Sequence, residues 1–158
     1  MKSYIEFISE KKIEPYDNEK LSNKMYRFCS VGKKDIIKIV EFQKSKKYYN
    51  LAFGDAIFDK DYKIIGYNDE INSNNGDIDK ILHTIIFIIL DFTNDYKGDI
   101  KIQGSNDKRT NVYNYLIKRY FKEFNKNFEI FGYINNTREI FDILKQDNYD
   151  MIIIKRKN

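Results

Sequence analysis

The segment Gly104–Thr110 carries the side chains in this sequence that are best suited to binding an anion. Its residues with hydrogen-bond donors in their side chains include Ser105, Lys108, Arg109 and Thr110. A guanidinium can bind a phosphate or a carboxylate through two parallel hydrogen bonds, and the first turn of a helix adds unpaired backbone N–H groups. The segment therefore predicts an anion- or partner-binding loop at the start of a helix.

Arg109 has a second interpretation that needs no ligand. Asp55 and Asp77 follow other predicted strands and loops, and either carboxylate could pair with the guanidinium of Arg109. Such a pair would fasten two loops together and would serve stability rather than binding. The sequence leaves both roles open for Arg109.

A second candidate site lies at Asn75–Asp77, immediately before an apolar helical repeat. The start of a helix can hold phosphate through its backbone N–H groups. The segment lacks the glycine spacing of known phosphate-binding loops, and the carboxylate of Asp77 would repel an anion. Asn75 and Asp77 are therefore candidate contacts for an anion or a partner, and an ordinary capped turn is the alternative.

Basic residues on the predicted second helix could contact a nucleic-acid backbone. They are Lys118, Arg119 and Lys122, and the whole chain has a net charge of +4. Phosphate contacts by lysine and arginine dominate nonspecific nucleic-acid binding. A helix face exposed to water would carry the same residues, so nucleic-acid binding is one of two interpretations.

The chemistry that the sequence does not display is equally informative. His83 is the only histidine and Cys29 the only cysteine, so neither a zinc cluster nor an internal disulfide is expected. No serine or cysteine nucleophile stands at a recognisable spacing from His83. We therefore expect no metal site, no cofactor and no catalytic residues.

Size and hydropathy predict a soluble protein of one domain. The chain has 158 residues, and its longest uninterrupted apolar run, Ile85–Leu90, is far shorter than the roughly 20 residues that span a bilayer. Glu6 interrupts the stretch in which a secretion signal would need its apolar core. We expect a single domain over residues 1–158, with an uncertain N-terminal segment at 1–24, in the cytoplasm and away from membranes.

Hydrophobic periodicity predicts the elements that position these side chains. Alternating apolar residues and turn signals predict strands, and spacing by three and four residues predicts helices. The expected strands are Tyr4–Ile8, Met25–Val31, Ile36–Phe42, Tyr48–Asp55, Lys63–Tyr67, Ile100–Gln103, Phe128–Ile134 and Tyr149–Lys155. One main helix should begin after Asp77 and end before Gly98, a second should run from Asn106 to about Lys126, and a short one from Thr137 to about Gln146. This order predicts an α+β fold, a mixed and largely antiparallel sheet with two main helices.

Three motifs resemble an uncharacterised bacterial family of small single-domain proteins, a domain of unknown function. They are Asn50-Leu-Ala-Phe-Gly-Asp55, Asn75-Gly-Asp77 and Gly104-Ser-x-x-x-Arg109-Thr110-x-x-Tyr113. The resemblance extends from about Met25 to Lys157 and includes the closing strand at Tyr149. The resemblance implies a common family but no activity, because no activity is settled for this family.

A more distant resemblance is to the GNAT-like acetyltransferases, which bind acetyl-CoA in a mixed sheet that opens between two strands. The element order is similar to theirs, and Asn106 and Tyr113 resemble the asparagine and the catalytic tyrosine of their late helix. Their glycine-rich pyrophosphate loop is replaced here by Asn72-Ser-Asn-Asn-Gly-Asp77. The resemblance implies that the topology is shared, that Tyr113 would be the general acid of a transferase, and that acetyl-CoA would be its only cofactor.

These observations favour a non-enzymatic protein that binds another protein or a ribonucleoprotein. A small domain without catalytic or metal sites is typical of bacterial or phage conflict systems, such as toxin–antitoxin pairs and anti-CRISPR inhibitors. An acyl-CoA-dependent transferase and a nucleic-acid-binding protein, with RNA as a possible ligand, are the alternatives.

Overall fold

A computed structural model of the chain describes residues 13–68 and 75–157. The described residues form nine strands, β1 (Asn18–Ser22), β2 (Met25–Val31), β3 (Asp35–Lys44), β4 (Tyr48–Phe58), β5 (Ile64–Asn68), β6 (Asp99–Ile102), β7 (Phe128–Ile134), β8 (Thr137–Ile140) and β9 (Met151–Arg156). They also form three helices, α1 (Ile78–Asp95), α2 (Asp107–Arg119) and α3 (Phe121–Asn127). The α+β fold predicted from the sequence is therefore confirmed.

All nine strands belong to one mixed sheet with the order β1-β2-β3-β4-β6-β9-β7-β8, and β5 pairs with β4 outside this path. Every pair is antiparallel except β4 with β6, which are parallel. Parallel neighbours need a crossover connection, and α1 supplies it here. The antiparallel β9 separates β6 from β7, so the last strand of the chain lies inside the sheet.

The parallel strands β4 and β6 pair only over their first residues. Their register runs from Tyr48 opposite Asp99 to Asn50 opposite Lys101. Further along β4, Asp55 pairs with Lys38 of β3 on one edge and with Asn68 of β5 on the other. Because β3 occupies one edge of β4, β5 and β6 must share the other edge. Residues 51–54 therefore form a gap between them on that edge.

The core lies on one face of the sheet, where α1 and α2 both pack. The registers place Tyr49 beside Ile100 and Ile100 beside Ile154, so these side chains point to the same face. Phe92 of α1 stacks on Phe42 of β3 with ring centroids 3.9 Å apart. Buried residues of both helices belong to the same apolar cluster.

The second predicted helix is interrupted at Tyr120, which separates α2 from α3. The backbone of Tyr120 leaves the helical region at φ −107° and ψ 26°, while its ring is buried and its hydroxyl donates a hydrogen bond to Asp79 of α1. Apolar spacing continues across the break, because Phe124 is also buried. Periodicity alone could not reveal the break at Tyr120.

The short helix predicted from Thr137 to Gln146 is wrong. Residues Thr137–Ile140 form β8, the edge strand of a hairpin with β7. Asn135 and Asn136 make the turn with positive φ values of 49° and 65°. Asparagine tolerates the left-handed region, and two such residues in succession form the turn that best matches the twist of a hairpin. In the sequence, this Asn-Asn pair is the signal for a hairpin turn, and therefore for a strand after it.

Other boundaries differ less. Within the N-terminal segment for which the sequence predicts no certain structure, Asn18–Ser22 form β1, and β4 extends to Phe58. The predicted strand Tyr4–Ile8 and residues 69–74 of the asparagine-rich loop lie outside the described residues. Within the described part of the chain, no helix has the length and apolar character needed to cross a bilayer.

Candidate functional site

A cavity of about 180 Å³ opens where β4 and β6 part. We call it the strand cleft. Its walls come from β3, from β4, from β6 and the turn after it, and from the first two turns of α2. The lining residues are Gln43, Asn50, Leu51, Ala52, Phe53, Lys101, Gln103, Gly104, Ser105, Arg109 and Tyr113.

Arg109 reaches across the strand cleft to the exposed edge of β4. Its Nη2 donates hydrogen bonds to the carbonyl oxygen of Phe53 at 3.2 Å and to the hydroxyl of Tyr113 at 3.4 Å. A charged donor makes a stronger hydrogen bond than a neutral one. Arg109 therefore links α2 to β4 through this carbonyl, and its pairing with a carboxylate stays a prediction. Asp55 forms an ion pair with Lys38.

The turn that carries Arg109 is held by a compact set of hydrogen bonds. Asn106 caps α2 by accepting a hydrogen bond from the backbone N–H of Arg109 at 2.9 Å. The buried Thr110 hydroxyl accepts from the N–H of Gly104 at 3.0 Å and donates to the carbonyl of Asn106 at 3.1 Å. A Cβ on Gly104 would lie 2.4 Å from the Cβ of Arg109, so this turn needs glycine. Thr110 thus serves the turn and not the cavity.

The side chain of Asn50 is the most unusual feature of the strand cleft. Its Oδ1 is buried and has no hydrogen-bond partner among the described residues. Asn50 is also the last residue of β4 that pairs with β6, opposite Lys101. Nearly all buried polar atoms in proteins have a partner, so an unpaired acceptor in a cavity wall calls for an explanation.

Asn75 and Asp77 lie away from the strand cleft, against the turn between β2 and β3. The amide of Asn75 donates to the carbonyl of Lys34 at 2.7 Å, and its Oδ1 accepts from the N–H of the same residue at 2.8 Å. Asp77 stands at the N-cap of α1 but does not cap the helix. Its Oδ2 accepts from Tyr16 at 2.5 Å and Ser30 at 2.6 Å, while its buried Oδ1 has no partner in the described chain. Burial and this carboxylate raise the pKa of Tyr16.

The structure therefore separates the residues predicted to bind an anion or partner. Ser105 and Arg109 line the strand cleft together with Tyr113, the residue assigned to the transferase alternative. Lys108 is exposed on the first turn of α2. Asn75 and Asp77 fasten the start of α1 to the neighbouring hairpin, but Asp77 does not cap the helix as the alternative of an ordinary capped turn expected.

The predicted nucleic-acid contacts are mostly engaged within the chain. Lys118 donates to the carbonyl of Lys145 at 2.7 Å, and Arg119 lies 3.7 Å from a carboxylate oxygen of Asp79. Lys122 is exposed on α3. Two of the three charges thus have partners within the chain, and nucleic-acid binding stays a prediction.

A family model matches residues 12–157, and its description is a family of unknown function, DUF6934. The chain belongs to this family. The match confirms the resemblance to an uncharacterised small single-domain family, while the three motifs on which that resemblance was based stay a prediction. No curated protein and no solved structure matches the chain.

A second surface of interest is the outer part of the β4–β5 hairpin. We call it the hairpin tip and define it by Ile57, Phe58, Tyr62 and Ile65, which are 43%, 41%, 87% and 66% exposed. Asp59 orders the turn, because its Oδ1 accepts from the N–H groups of Asp61 at 2.8 Å and Lys63 at 2.9 Å. Tyr62 has a φ of 61°, which is uncommon for an aromatic residue. An ordered turn therefore holds an aromatic ring in water.

The sequence predicted no binding role for Asn50, Lys101 or the hairpin tip. The signal for Asn50 was present, since Tyr49, Leu51 and Phe53 alternate on one face and leave Asn50 on the other. The position of Lys101 beside it depends on strand register, which has no local signal. Of the residues in the hairpin tip, only Ile65 lies in a predicted strand, and the other three fall between the predicted strands Tyr48–Asp55 and Lys63–Tyr67.

Proposed function

We propose that this protein is a non-enzymatic binding protein that docks on a partner protein through the hairpin tip. The observation that carries the proposal is the exposure of Tyr62 together with Ile57, Phe58 and Ile65 at an ordered turn. Contiguous exposed apolar residues at one place mark interaction sites, whereas scattered single ones need no explanation. The hairpin tip groups four such residues at the outer end of one hairpin, on both of its faces.

The composition of the hairpin tip indicates the kind of partner. Tyrosine is enriched among the residues that dominate binding energy, because its ring buries a large area and loses little conformational entropy. Backbone strain at a residue such as Tyr62 persists when the surrounding structure holds it, and functional sites collect such residues. These features support a partner with an apolar groove that accepts an aromatic side chain.

Replacing Tyr62 by aspartate should abolish docking without unfolding the protein. Loss of a central aromatic contact weakens binding by about 2 kcal/mol or more, which is roughly 30-fold. Stability should change by no more than about 0.5 kcal/mol, because Tyr62 is exposed and aspartate tolerates a positive φ better than tyrosine. The measurement is affinity capture from the native host with the tagged full chain, followed by thermal denaturation of each variant.

Tyr115→Asp is the matched control for this experiment. Tyr115 is 57% exposed on α2, so the same substitution is made on a surface away from the hairpin tip. A protein captured by the wild type and by Tyr115→Asp, and lost with Tyr62→Asp, supports the proposal. Capture that is equal with all three proteins, or lost equally with both variants, contradicts it.

An acyl-CoA-dependent transferase is the second candidate function. It is supported by the parting of the parallel strands β4 and β6 and by Tyr113, which lines the strand cleft beside them. Three observations favour the binding protein over the transferase. First, Arg109 donates a hydrogen bond to the Phe53 carbonyl, on the strand edge that a pantetheine arm would follow. Second, the cavity of about 180 Å³ is small for a cofactor. Third, Asp77 places a carboxylate at the start of α1.

Calorimetric titration with acetyl-CoA distinguishes these two functions. We expect no binding at millimolar acetyl-CoA, because the guanidinium fills the edge of β4 and the Asp77 carboxylate repels the pyrophosphate. The informative variant is Arg109→Ala, which vacates the Phe53 carbonyl. Saturable binding to the wild type that weakens with Tyr113→Phe or with excess free coenzyme A would instead support the transferase.

The broader biological role stays a prediction. Participation in a conflict system, as a toxin, antitoxin or anti-CRISPR inhibitor, requires a specific partner, and the captured protein would identify it. A ribonucleoprotein partner is separated from a protein partner by nuclease treatment before capture. Binding through phosphates should also fall steeply as salt rises.

A further inference from the structure

A second cavity, of about 370 Å³, lies at the end of the sheet opposite to the hairpin tip. We call it the basic cavity. Its walls come from the end of α1, from the connection between α1 and β6, and from residues 155–157 at the end of β9. Strand β4 separates the two sites, because it begins at Tyr48, beside Asp99 of the cavity wall, and ends at Phe58 of the hairpin tip.

Exposed lysines line and surround the basic cavity. Those in its wall are Lys97 and Lys155, and those on its rim are Lys46, Lys47 and Lys126. None of these side chains forms an ion pair within the described part of the chain. Because they are exposed and unpaired, their ammonium groups can reach an anion in the cavity or on its rim.

The fold brings the rim lysines to the basic cavity from distant parts of the chain. The turn at residues 45–47 leads into Tyr48, which pairs with Asp99 in the cavity wall. The end of α3 is held to the cavity because the N–H of Lys157 donates to the carbonyl of Asn127 at 2.8 Å. Separate turns and ends of elements therefore supply one basic surface.

The negative groups near the basic cavity are fewer. The nearby carboxylates are Asp95, Asp99 and Glu129. Asp95 lies 3.8 Å from the ammonium group of Lys20. The C-terminal end of α1 carries a partial negative charge, and Arg156 offsets it by donating to the carbonyl of Leu90 at 2.7 Å. The surface around the cavity therefore has an excess of positive charge.

The shape of the basic cavity indicates which polyanion fits it. A volume of about 370 Å³ is within the range of ligand pockets, which begins at roughly 300 Å³. Asn94 lines the cavity and is exposed, and an amide can donate to and accept from the edge of a nucleic-acid base. The bases of a duplex are stacked and paired, whereas those of a single strand can turn into a cavity. A flat lipid surface cannot enter it.

We propose that the basic cavity and the lysines around it bind single-stranded nucleic acid. The lysines contact the phosphates of the strand, and one unpaired nucleotide enters the cavity beside Asn94. RNA and DNA share the phosphate backbone, so both are probes of the site. The interface lies away from the helix residues Lys118, Arg119 and Lys122, which the sequence predicts as contacts. It is also separate from the hairpin tip, so the proposal does not depend on the partner protein.

Fluorescence anisotropy with the full chain tests this proposal. The probes are labelled oligouridylate and oligothymidylate of about 15 nucleotides, a DNA duplex of the same length, and polyglutamate as a competing polyanion. About four phosphate contacts, each adding roughly 0.7 to the slope of log K against log salt, predict about a 50-fold loss of single-strand affinity between about 50 and 200 mM salt. Single strands should bind about tenfold more tightly than the duplex.

Paired variants locate the interface. The double variant Lys97→Gln, Lys155→Gln removes two cavity lysines and should halve the salt slope, from about 2.8 to about 1.4. The control is Lys108→Gln, Lys122→Gln, which removes the same charge from exposed positions of α2 and α3 and should keep the slope of the wild type. Tyr62→Asp should also bind the oligonucleotides as the wild type does, which separates this site from the hairpin tip.

Tighter binding of oligouridylate identifies RNA as the ligand, and tighter binding of oligothymidylate identifies DNA. Equal affinities support recognition through the shared phosphates. The proposal is overturned if neither strand binds at about 50 mM salt, if the duplex binds as tightly as the single strands, or if polyglutamate competes as well as an unlabelled oligonucleotide. Equal losses in the two double variants would also contradict it. The salt series and the comparison of probes use the wild type, so they stand even if a variant fails to fold.

Discussion

Replacing Asn114 by leucine is expected to lower the free energy of unfolding by about 3 to 5 kcal/mol. The Asn114 side chain is fully buried in α2. Its Nδ2 donates to the carbonyl of Tyr149 at 2.8 Å, and its Oδ1 accepts from the N–H of Tyr149, also at 2.8 Å. Leucine has a similar volume but leaves two buried backbone groups unpaired, each costing roughly 1 to 3 kcal/mol. Chemical denaturation of the purified variant measures the loss.

Asn111→Leu provides the matched control for this prediction. It lies three residues earlier on the exposed side of the same helix, so the change should stay within about 0.5 kcal/mol. A loss below about 1 kcal/mol for Asn114→Leu would mean that Tyr149 is not held by this amide. Similar losses for both variants would point to helix propensity instead.

Replacing Asn114 should also disturb the strand cleft, because Asn114 connects Tyr149 to the helix that lines this cavity. The ring of Tyr149 covers Gly132, where a Cβ would lie 2.2 Å from a ring atom. Its hydroxyl donates to Glu139 at 2.6 Å, and burial together with this hydrogen bond raises the pKa of Tyr149 to about 12. Tyr149 is therefore protonated at neutral pH. Its backbone holds α2 in place through the two hydrogen bonds to Asn114. The first turns of that helix carry Arg109 and Tyr113.

Replacing Lys38 by methionine is expected to cost a similar amount, about 3 to 5 kcal/mol. Lys38 and Asp55 form an ion pair in which the side chains are only 4% and 14% exposed. Removing one member of a buried pair takes away the close counter-ion that offsets the cost of burying the other charge. The pair also joins β3 to β4 beside the gap, at the register position where Lys38 lies opposite Asp55. Thermal and chemical denaturation should show the loss at neutral pH.

A second substitution tests the reason for this loss. In the double variant Lys38→Met, Asp55→Leu both charges of the pair are removed, and most of the lost stability should return, because apolar replacement of a whole buried pair is often neutral. The ion pair of Arg27 with Glu19 is the exposed counterpart, with side chains 41% and 61% exposed, and Arg27→Met should cost at most about 1 kcal/mol. A double variant no more stable than Lys38→Met would show that other contacts dominate.

Local patterns predicted the elements that depend on nearest neighbours. The β2–β3 hairpin was correct because two β-rich runs flank a short turn at Gly32. Helix α1 was correct because apolar residues repeat at helical spacing from Ile78 onward. The prediction failed at Thr137, where the left-handed Asn135-Asn136 turn outweighed a weak helical pattern. It also failed at Tyr120, where a tertiary contact with Asp79 accompanies the break.

The sequence by itself determined the fold class, the main helix and the polar loop from Gly104 to Thr110. The tertiary structure alone decided what that loop does. Arg109 meets the carbonyl of Phe53, 56 residues away, and Asn50 meets Lys101 because two parallel strands share a register. A pattern in the sequence records which face a side chain occupies, but the register between distant strands is set by packing of the whole sheet. For the same reason, only the parting of β4 and β6 brings Asn50, Lys101 and Arg109 into the wall of one cavity.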